Sequence, residues 1–390
     1  MTSFTLSDHQ IALIERPIES KIFLEGPAGA GKTTAGVGRL LHLLAAGVPA
    51  DSILVIVPQR TLATPYYGAL RRPELAAGGQ VTILTVGGLA QRMVDLFWPL
   101  IAKEAGFGQP DQPPTFLTLE TAQYYMARLV SPLLDQGYFE TVTIERNRLY
   151  SQILDNLNKA AVVGFPYTQI GERLKAAWGG ERSQKRIYDE AQACATRFRE
   201  YCLAHNLLDF SLQLEVFVRH LWSPQLVGGL CRDYLLARYV HLIADNVEED
   251  TPVAHDLLKE WLSHCRSALL IYDREAGYRR FLGADPQSAY TLKQLCQEQM
   301  AFIESYITSP DLRAFGYQLA RSLNRPLEVP LSEAGRGQGR GPGDVRAVLA
   351  YEYHRYHPQM LDWVAGEIAR LVHEQDVSPG EIVVLAPFLT

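Results

Sequence analysis

The stretch Gly26-Pro27-Ala28-Gly29-Ala30-Gly31-Lys32-Thr33 fits the phosphate-loop pattern G-x-x-x-x-G-K-[ST] at every required position. It follows the apolar run Ile22-Phe23-Leu24, and a helical pattern from Ala35 to Leu44 comes directly after it. Backbone N–H groups of a glycine-rich turn at a helix N-terminus can surround a triphosphate without side chains in the way. The order of strand, loop and helix therefore predicts a nucleotide-binding site.

The residues of this loop have distinct predicted roles. Lys32 would reach the β- and γ-phosphates as a point charge, and the hydroxyl of Thr33 would be a ligand of Mg²⁺. Gln10 lies on a short predicted helix that Ser7 or Asp8 could cap, and its amide either reads the N6/N7 edge of adenine or faces solvent. The predicted cofactors are ATP and Mg²⁺. The predicted nucleotide-binding residues are Gln10, Gly26, Pro27, Ala28, Gly29, Ala30, Gly31, Lys32, Thr33 and Thr34.

Further apolar runs typical of strands buried on both faces of a parallel sheet alternate with helical patterns. These runs are Ser52 to Val57, Val81 to Leu84, Tyr239 to Ala244 and Ala268 to Tyr272. The alternation predicts an α/β fold with a right-handed, doubly wound parallel sheet. Asp245 and Asp273 follow the last two runs, at the sheet edge where open α/β folds bind their ligands. An acidic residue at this place is well suited to position a metal ion or a water molecule.

The 3.6-residue period dominates from about Gly106 to Leu221, without a convincing strand, and predicts a large all-helical insertion. Its expected helices are Leu119 to Leu133, Arg146 to Val162, Ile170 to Ala177 and Gln184 to Leu203. Beyond Pro286 we expect more helices, a Gly-rich linker at 335–343 rather than an Arg/Gly nucleic-acid tail, and an incomplete second α/β domain. The last part would hold strands at Val345 to Tyr351 and Glu381 to Ala386 around a helix from Met360 to Val372.

These patterns divide the chain into four expected parts. Residues 1–105 and 209–290 would form the two halves of the first domain, and residues 106–208 the helical insertion between them. Residues 291–390 would form the partial second domain.

Composition excludes several classes of protein. A chain of 390 residues with 47% hydrophobic content can bury a core in two or three domains. A formal charge of −6 argues against a wholly basic surface, though one basic groove remains possible. The five cysteines form no C-x-x-C pair, so we expect buried, reduced thiols rather than a zinc site or disulfides. No targeting segment or membrane span is visible, so the expected location is the cytoplasm, with no membrane partner.

With these pieces in order, the sequence resembles a UvrD/Rep-type superfamily 1 DNA helicase, with features of the AddB-type helicase subunits, over nearly its whole length. Leu6 to Gln10 is similar to the adenine-reading glutamine motif of that family. Val57 to Thr61 and Leu84 to Gly88 stand where the family places two motifs that contact single-stranded DNA, although the second lacks the usual Phe-His pair. Asn206 to Phe210 resembles the segment that closes the helical insertion.

The resemblance implies a P-loop NTPase (RecA-like) motor domain that binds ATP and Mg²⁺ and acts on single-stranded DNA. The DNA-binding residues that it implies are Arg60, Thr61, Thr85, Tyr278, Arg279 and Phe281. Tyr278 and Phe281 could stack on bases, or they could be core aromatics beside a solvated pair of arginines. Both interpretations are compatible with the sequence.

The departures from the family pattern lie in the hydrolysis motifs. In the Asp-Glu-x-Gln-Asp motif of the family the Asp organises Mg²⁺, so the resemblance implies that Asp245 is a second metal ligand beside Thr33. Here Asn246 follows Asp245 at the place of the general base, and an amide cannot accept the proton. Glu248 and Glu249 are the candidates for a relocated base. Two more changes follow, since Ala276 replaces the phosphate-sensing glutamine and Leu282 an arginine. Arg325 would stand for the arginine that touches the γ-phosphate in this family.

The later motor motifs of the family do not occur in the chain, so we expect a part of a longer protein, the product of a split or decayed gene, or a protein partner that supplies the motifs. Two functions remain open. The first is an ATP-dependent helicase or translocase motor portion with degenerate hydrolysis motifs. The second is a non-catalytic ATP- and DNA-binding scaffold subunit of a helicase or helicase–nuclease complex. A P-loop kinase of small molecules would need a short lid instead of the helical insertion.

Overall fold

Six parallel strands form the sheet on which the predicted site is built. A computed structural model describes residues 5–71, 79–180, 185–223, 226–274, 276–324 and 344–386. The chain divides into two compact units, Met1–Ile307 and Thr308–Thr390. The sheet lies in the first unit. Its strands are β1 (Lys21–Gly26), β2 (Ile53–Ile56), β3 (Thr82–Leu84), β6 (His241–Ala244), β7 (Ser267–Asp273) and β8 (Glu298–Ala301).

The strand order is β3-β2-β6-β7-β1-β8, so β7 lies between the strand of the phosphate loop and the strand that precedes Asp245. In this register Gly26 pairs with Asp273, and Ile56 pairs with Ala244. Because all the pairs are parallel, the carboxyl ends of these strands meet at one edge. The register therefore brings the phosphate loop and both acidic strand ends to the same side of the sheet.

Alternate residues of each central strand enter two separate cores. Ile22 and Leu24 pack in one core with residues of the first three helices, and Phe23 packs in the other core with the helices that follow β3. Both faces of the sheet are covered, as expected of buried parallel strands. The structure thus confirms the predicted α/β fold with a parallel sheet.

Helices make up most of the remainder of the first unit. They are α1 (Asp8–Ile14), α2 (Lys32–Ala45), α3 (Thr64–Leu70), α4 (Val86–Ile101), α5 (Leu119–Leu134), α6 (Arg146–Val163), α7 (Ile170–Ala177), α8 (Arg186–Ala204), α9 (Phe210–Val216), α10 (Leu226–Arg238), α11 (Pro252–His264) and α12 (Pro286–Thr291). The bounds of α5 to α8 agree with the predicted helices to within a few residues. In this region the amphipathic period was a sufficient signal.

The segment between β3 and β6 is not wholly helical, which corrects the sequence-based expectation. A two-stranded parallel sheet joins β4 (Thr115–Phe116) to β5 (Leu207–Leu208). Strands of two residues are too short to show a period of two, so the sequence carried no signal for them. This small sheet holds the start of the helical segment next to its end.

The main sheet also extends beyond the expected domain boundary at residue 290. β8 pairs with β1 in parallel, and its residues alternate between partly buried and exposed. The run Glu298-Gln299-Met300-Ala301 is half polar because it is the edge strand, so it does not resemble the apolar inner strands. Residues up to Ile307 belong to the first unit.

The second unit contains α13 (Pro310–Ser322) and α14 (His357–Glu374). The strands predicted at 345–351 and 381–386 are wrong, because within the described residues both segments consist of short 3-10 turns and irregular chain. Apolar runs become strands only when their backbone groups find a ladder partner. The predicted linker at 335–343 lies outside the described residues.

Two further expectations concern the cysteines and membrane spans. All five cysteines are buried and free, as predicted. Among the helices that the structure describes, none is long and apolar enough to cross a membrane.

Candidate functional site

The phosphate loop connects the end of β1 to the start of α2 through two glycines in the left-handed region. Gly29 and Gly31 both have φ of 73°, a conformation that residues with a Cβ adopt only at a cost. Gly31 is the N-cap of α2 and provides no side-chain cap. The first amides of α2 therefore have no intrahelical acceptor, and they form the positive end of the helix dipole. This is the backbone geometry that an anionic phosphate group requires.

Lys32 is held beneath this loop and is only 7% exposed. Its ammonium donates hydrogen bonds to the carbonyl oxygens of Gly26, at 3.0 Å, and Pro27, at 2.5 Å. It also forms an ion pair with Asp273 Oδ2, at 3.2 Å. The pair links the lysine to the end of β7, so Asp273 contributes to the site by holding the lysine charge.

Gln10 contacts the same loop. Its Nε2 donates to the carbonyl oxygen of Gly31, at 3.1 Å, and its Oε1 accepts from the backbone N–H of Ser7, at 2.9 Å. Ser7 is the N-cap of α1, and the two residues form a capping box. Gln10 is buried, so the solvent-facing alternative is excluded. It ties α1 to the phosphate loop.

Sequence reasoning missed the segment Ser305 to Ile307, which lies against the phosphate loop. The backbone N–H of Tyr306 donates to the carbonyl oxygen of Gly29, at 3.0 Å. A Cβ at Gly29 would lie 2.1 Å from Ile307 Cγ1 and 2.7 Å from Ser305 Oγ. The segment reaches the loop because β8 pairs with β1, and no local sequence signal indicates that pairing.

Asp245 follows β6 and is buried. Its Oδ2 accepts a hydrogen bond from the hydroxyl of Tyr66, at 2.9 Å, whereas its Oδ1 has no hydrogen-bond partner among the described residues. Burial raises the pKa of Asp245, and the hydrogen bond from Tyr66 counteracts part of this effect. A buried carboxylate oxygen without a partner is costly unless a cation or donor satisfies it.

Thr33 and Asp245 therefore fit the predicted magnesium site. Within the described residues, no group of three or more His, Cys, Asp or Glu side chains could hold a metal ion. Mg²⁺ is commonly bound by one or two protein ligands together with substrate phosphates and water. The donor set present here suits that mode of binding, in which the nucleotide completes the coordination.

The turn after Asp245 begins with Asn246 in the left-handed region, at φ of 58°. Its Nδ2 donates to Glu248 Oε1, at 3.4 Å, and Glu248 Oε2 accepts from the backbone N–H of Asp273, at 2.9 Å. Glu248 is 0% exposed, and burial raises its pKa to about 8. The carboxyl group has no access to solvent, which is unfavourable for a general base that must reach a water molecule.

The carboxylate of Glu249 is engaged by hydrogen bonds from the backbone. Its carboxylate accepts three backbone N–H groups, from Gly277 at 2.9 Å and from Tyr278 and Arg279 at 3.1 Å each. These bonds fasten the start of the 3-10 turn Tyr278–Leu282 to the acidic turn. The geometry makes Glu249 an anchor of this turn, rather than a carboxylate available to a water molecule.

The anchored turn presents two aromatic rings to solvent. Tyr278 is 77% exposed and Phe281 is 68% exposed, so the core alternative for these residues is excluded. Arg279 Nη1 donates to the carbonyl oxygen of Pro58, at 3.4 Å. When the side-chain amide of Gln59 is rotated by about 180°, its oxygen also accepts from Arg279 Nε, at 2.9 Å. Arg279 therefore fastens the turn to the end of β2.

The other residues predicted to contact DNA lie near the same sheet edge. Arg60 and Thr61 are exposed in the 3-10 turn after β2. Thr85 is the N-cap of α4, and its hydroxyl accepts from the backbone N–H of Gly88, at 3.0 Å. Its side chain is thus engaged in capping, which leaves less hydrogen-bonding capacity for a ligand.

A cavity of about 290 Å³ opens between this edge and α6. Thr85 and Arg279 line it together with Phe210, Lys159 and Asp250. Burial raises the pKa of Asp250 to about 7. The cavity thus combines an aromatic ring, basic groups and a carboxyl group beside the exposed aromatic turn.

Arg325, the predicted γ-phosphate arginine, lies outside the described residues. No family model matches the chain, and no curated protein matches it.

Proposed function

We propose that this chain is an ATP·Mg²⁺-binding module of the UvrD/Rep-type helicase class, and that single-stranded DNA binds along the same sheet edge. One observation carries the proposal. The loop after β1 supplies Lys32 and Thr33, and the end of β6 supplies Asp245, whose Oδ1 is buried without a partner among the described residues.

The proposed nucleotide chemistry follows from these groups. The amides at the start of α2 and the ammonium of Lys32 bind the phosphates. Thr33 and Asp245 hold Mg²⁺, which when bound neutralises charge on the phosphate oxygens. Asp273 keeps Lys32 beneath the loop through their ion pair.

The proposed DNA surface combines exposed aromatic rings with basic side chains. Tyr278 and Phe281 are mostly exposed on a turn that Glu249 and Arg279 hold in place. Aromatic platforms of this kind bind single strands by stacking on bases, while basic groups such as Arg60 bind phosphates. On this proposal, residues 106–208 are an insertion in a RecA-like motor domain, and the second unit is part of its partner domain.

We further infer that the isolated chain binds ATP with little hydrolysis, which favours the scaffold-subunit alternative. Asn246 has no basic atom, Glu248 is buried with its pKa raised to about 8, and Glu249 is occupied by three amides. A partner protein that supplies the missing motor motifs would then be needed for motor activity.

The experiment is a titration of the purified chain with a fluorescent ATP analogue, with Mg²⁺ and with EDTA, followed by ATPase assays with and without single-stranded DNA. Magnesium-dependent binding with little turnover supports the proposal. DNA-stimulated turnover would instead establish a working motor. Absence of nucleotide binding would overturn the proposed function.

A further inference from the structure

We propose that Tyr66 is a positioning residue of the magnesium site, which orients the Asp245 carboxylate so that Oδ1 is left for the cation. This inference rests on the proposed function, because it assigns a role at the same site. Tyr66 belongs to α3, whose sequence contains no motif that indicates contact with a nucleotide.

The contact is buried and directional. Tyr66 is fully buried, and its hydroxyl donates to Asp245 Oδ2, at 2.9 Å. The backbone N–H of Asp245 donates to the carbonyl oxygen of Ile56, at 3.0 Å, which holds the main chain of the aspartate against the end of β2. Backbone and carboxylate are therefore held from two sides, by β2 and by the helix that follows it.

The two oxygens of Asp245 have different surroundings. Oδ2 has the phenol as its donor, whereas Oδ1 is buried without a hydrogen-bond partner in the part of the chain that the structure describes. A neutral hydroxyl fixes the rotation of the carboxylate without cancelling its charge, whereas a lysine or arginine here would compete with a cation. Outer groups that orient metal ligands typically change metal affinity by about 10- to 100-fold when removed.

Gly36 of α2 leaves the space for this hydroxyl. A Cβ at Gly36 would lie 2.6 Å from Tyr66 Oη and 2.8 Å from Ile271 Cδ1. The helix that supplies Lys32 and Thr33 in its first turn thus also makes room, one turn later, for the group that holds Asp245. Three elements of the fold converge on a single carboxylate.

The first test is Tyr66→Phe, with ATP affinity measured over a series of Mg²⁺ concentrations and in EDTA at one pH. We expect the Mg²⁺ requirement to rise by about 10- to 100-fold, with ATP affinity in EDTA unchanged. Tyr67→Phe is the matched control, since it removes a neighbouring hydroxyl that donates to the carbonyl oxygen of Ile83, at 3.2 Å. Its Mg²⁺ requirement should equal that of the wild type.

Gly36→Ala disturbs the hydrogen bond between Tyr66 and Asp245 by steric contact and retains the phenol. The new methyl group displaces the hydroxyl, while alanine is the better helix former in the interior of α2. This variant should show the same selective rise in Mg²⁺ requirement, and it decides the question if Tyr66→Phe fails to fold.

The outcomes separate this inference from the proposed function. An unchanged Mg²⁺ requirement in the folded variants, or equal losses with Mg²⁺ and in EDTA, would overturn the role of Tyr66 while leaving nucleotide binding intact. A wild-type chain whose ATP affinity ignores Mg²⁺ would overturn both.

Discussion

The phosphate loop and the acidic turn after β6 lie at the same edge of one sheet, but their polar groups have different hydrogen-bond partners. In the loop, Lys32 has three acceptors around its ammonium and the first amides of α2 have no intrahelical acceptor. In the acidic turn, Glu248 and Glu249 are both engaged by backbone N–H groups, and Asn246 carries no base.

This difference shows that binding and hydrolysis place separate demands on a chain. Phosphate binding needs backbone amides and one fixed cation, which a short glycine-rich turn can provide. Hydrolysis also needs an ionised base that can reach a water molecule. In the acidic turn, burial raises the pKa of Glu248 to about 8 and closes the carboxyl group off from solvent.

The largest expected effect is the loss of ATP affinity in Lys32→Ala. Removing the charge partner of the phosphates costs about 2–5 kcal/mol, which corresponds to about 30-fold or more in Kd. The measurement is a titration with a fluorescent ATP analogue. Lys21→Ala is the control, because Lys21 begins β1, the strand before the loop, but donates to the carbonyl oxygen of Leu262. Equal ATP affinity of Lys32→Ala and the wild type would refute the role of the phosphate loop in binding the phosphates.

The next largest effect concerns DNA. Phe281→Ala and Tyr278→Ala should each weaken binding of a single-stranded oligonucleotide by about 1–3 kcal/mol, because each removes a stacking surface. Fluorescence anisotropy measures this loss, and ATP affinity should not change. Tyr124→Ala is the control, since Tyr124 is an exposed aromatic residue on α5. An equal loss in the control would indicate non-specific binding.

Asn246→Glu tests whether the acidic turn lacks a general base. A carboxylate at this position should raise steady-state ATP turnover by about tenfold, below the 10²–10⁴ typical of a general base. The gain is reduced because Asn246 has φ of 58°, which costs glutamate about 1–2 kcal/mol. Asn246→Gln carries the same backbone cost without the carboxylate and should show no gain. If Asn246→Glu gains nothing while Glu248→Gln lowers turnover, Glu248 is the base after all.

The last prediction concerns the dependence of stability on pH. The folded chain keeps a proton on Glu248 up to about pH 8, whereas the unfolded chain releases it near the ordinary pKa of 4.5. Stability from this group is therefore present at low pH and declines as pH rises between these values, by at most about 1.4 kcal/mol per pH unit. Thermal unfolding from pH 5 to pH 8 should show a shallower decline for Glu248→Gln. An identical slope in both proteins would mean that Glu248 is ionised in the folded state.

Much of the fold could be predicted because its signals are local. The inner strands are continuous apolar runs, and α5 to α8 show the helical period in sequence alone. The edge strand β8 and the short pair of β4 with β5 escaped prediction, because their residues have no distinctive pattern. The apolar run at 381–386 was overinterpreted, since a run becomes a strand only where a neighbour completes the ladder.

The parallel α/β plan, the phosphate-loop pattern and the lack of a base at position 246 could all be predicted before the fold was known, because each depends on residue type at fixed spacing. The hydrogen-bond partners of the carboxylates could be seen only in the folded chain. The fold places the hydroxyl of Tyr66 against Asp245, surrounds Glu249 with backbone amides and removes Glu248 from solvent. These outcomes depend on burial and on partners distant in the chain, and both arise only when the sheet brings its strand ends together.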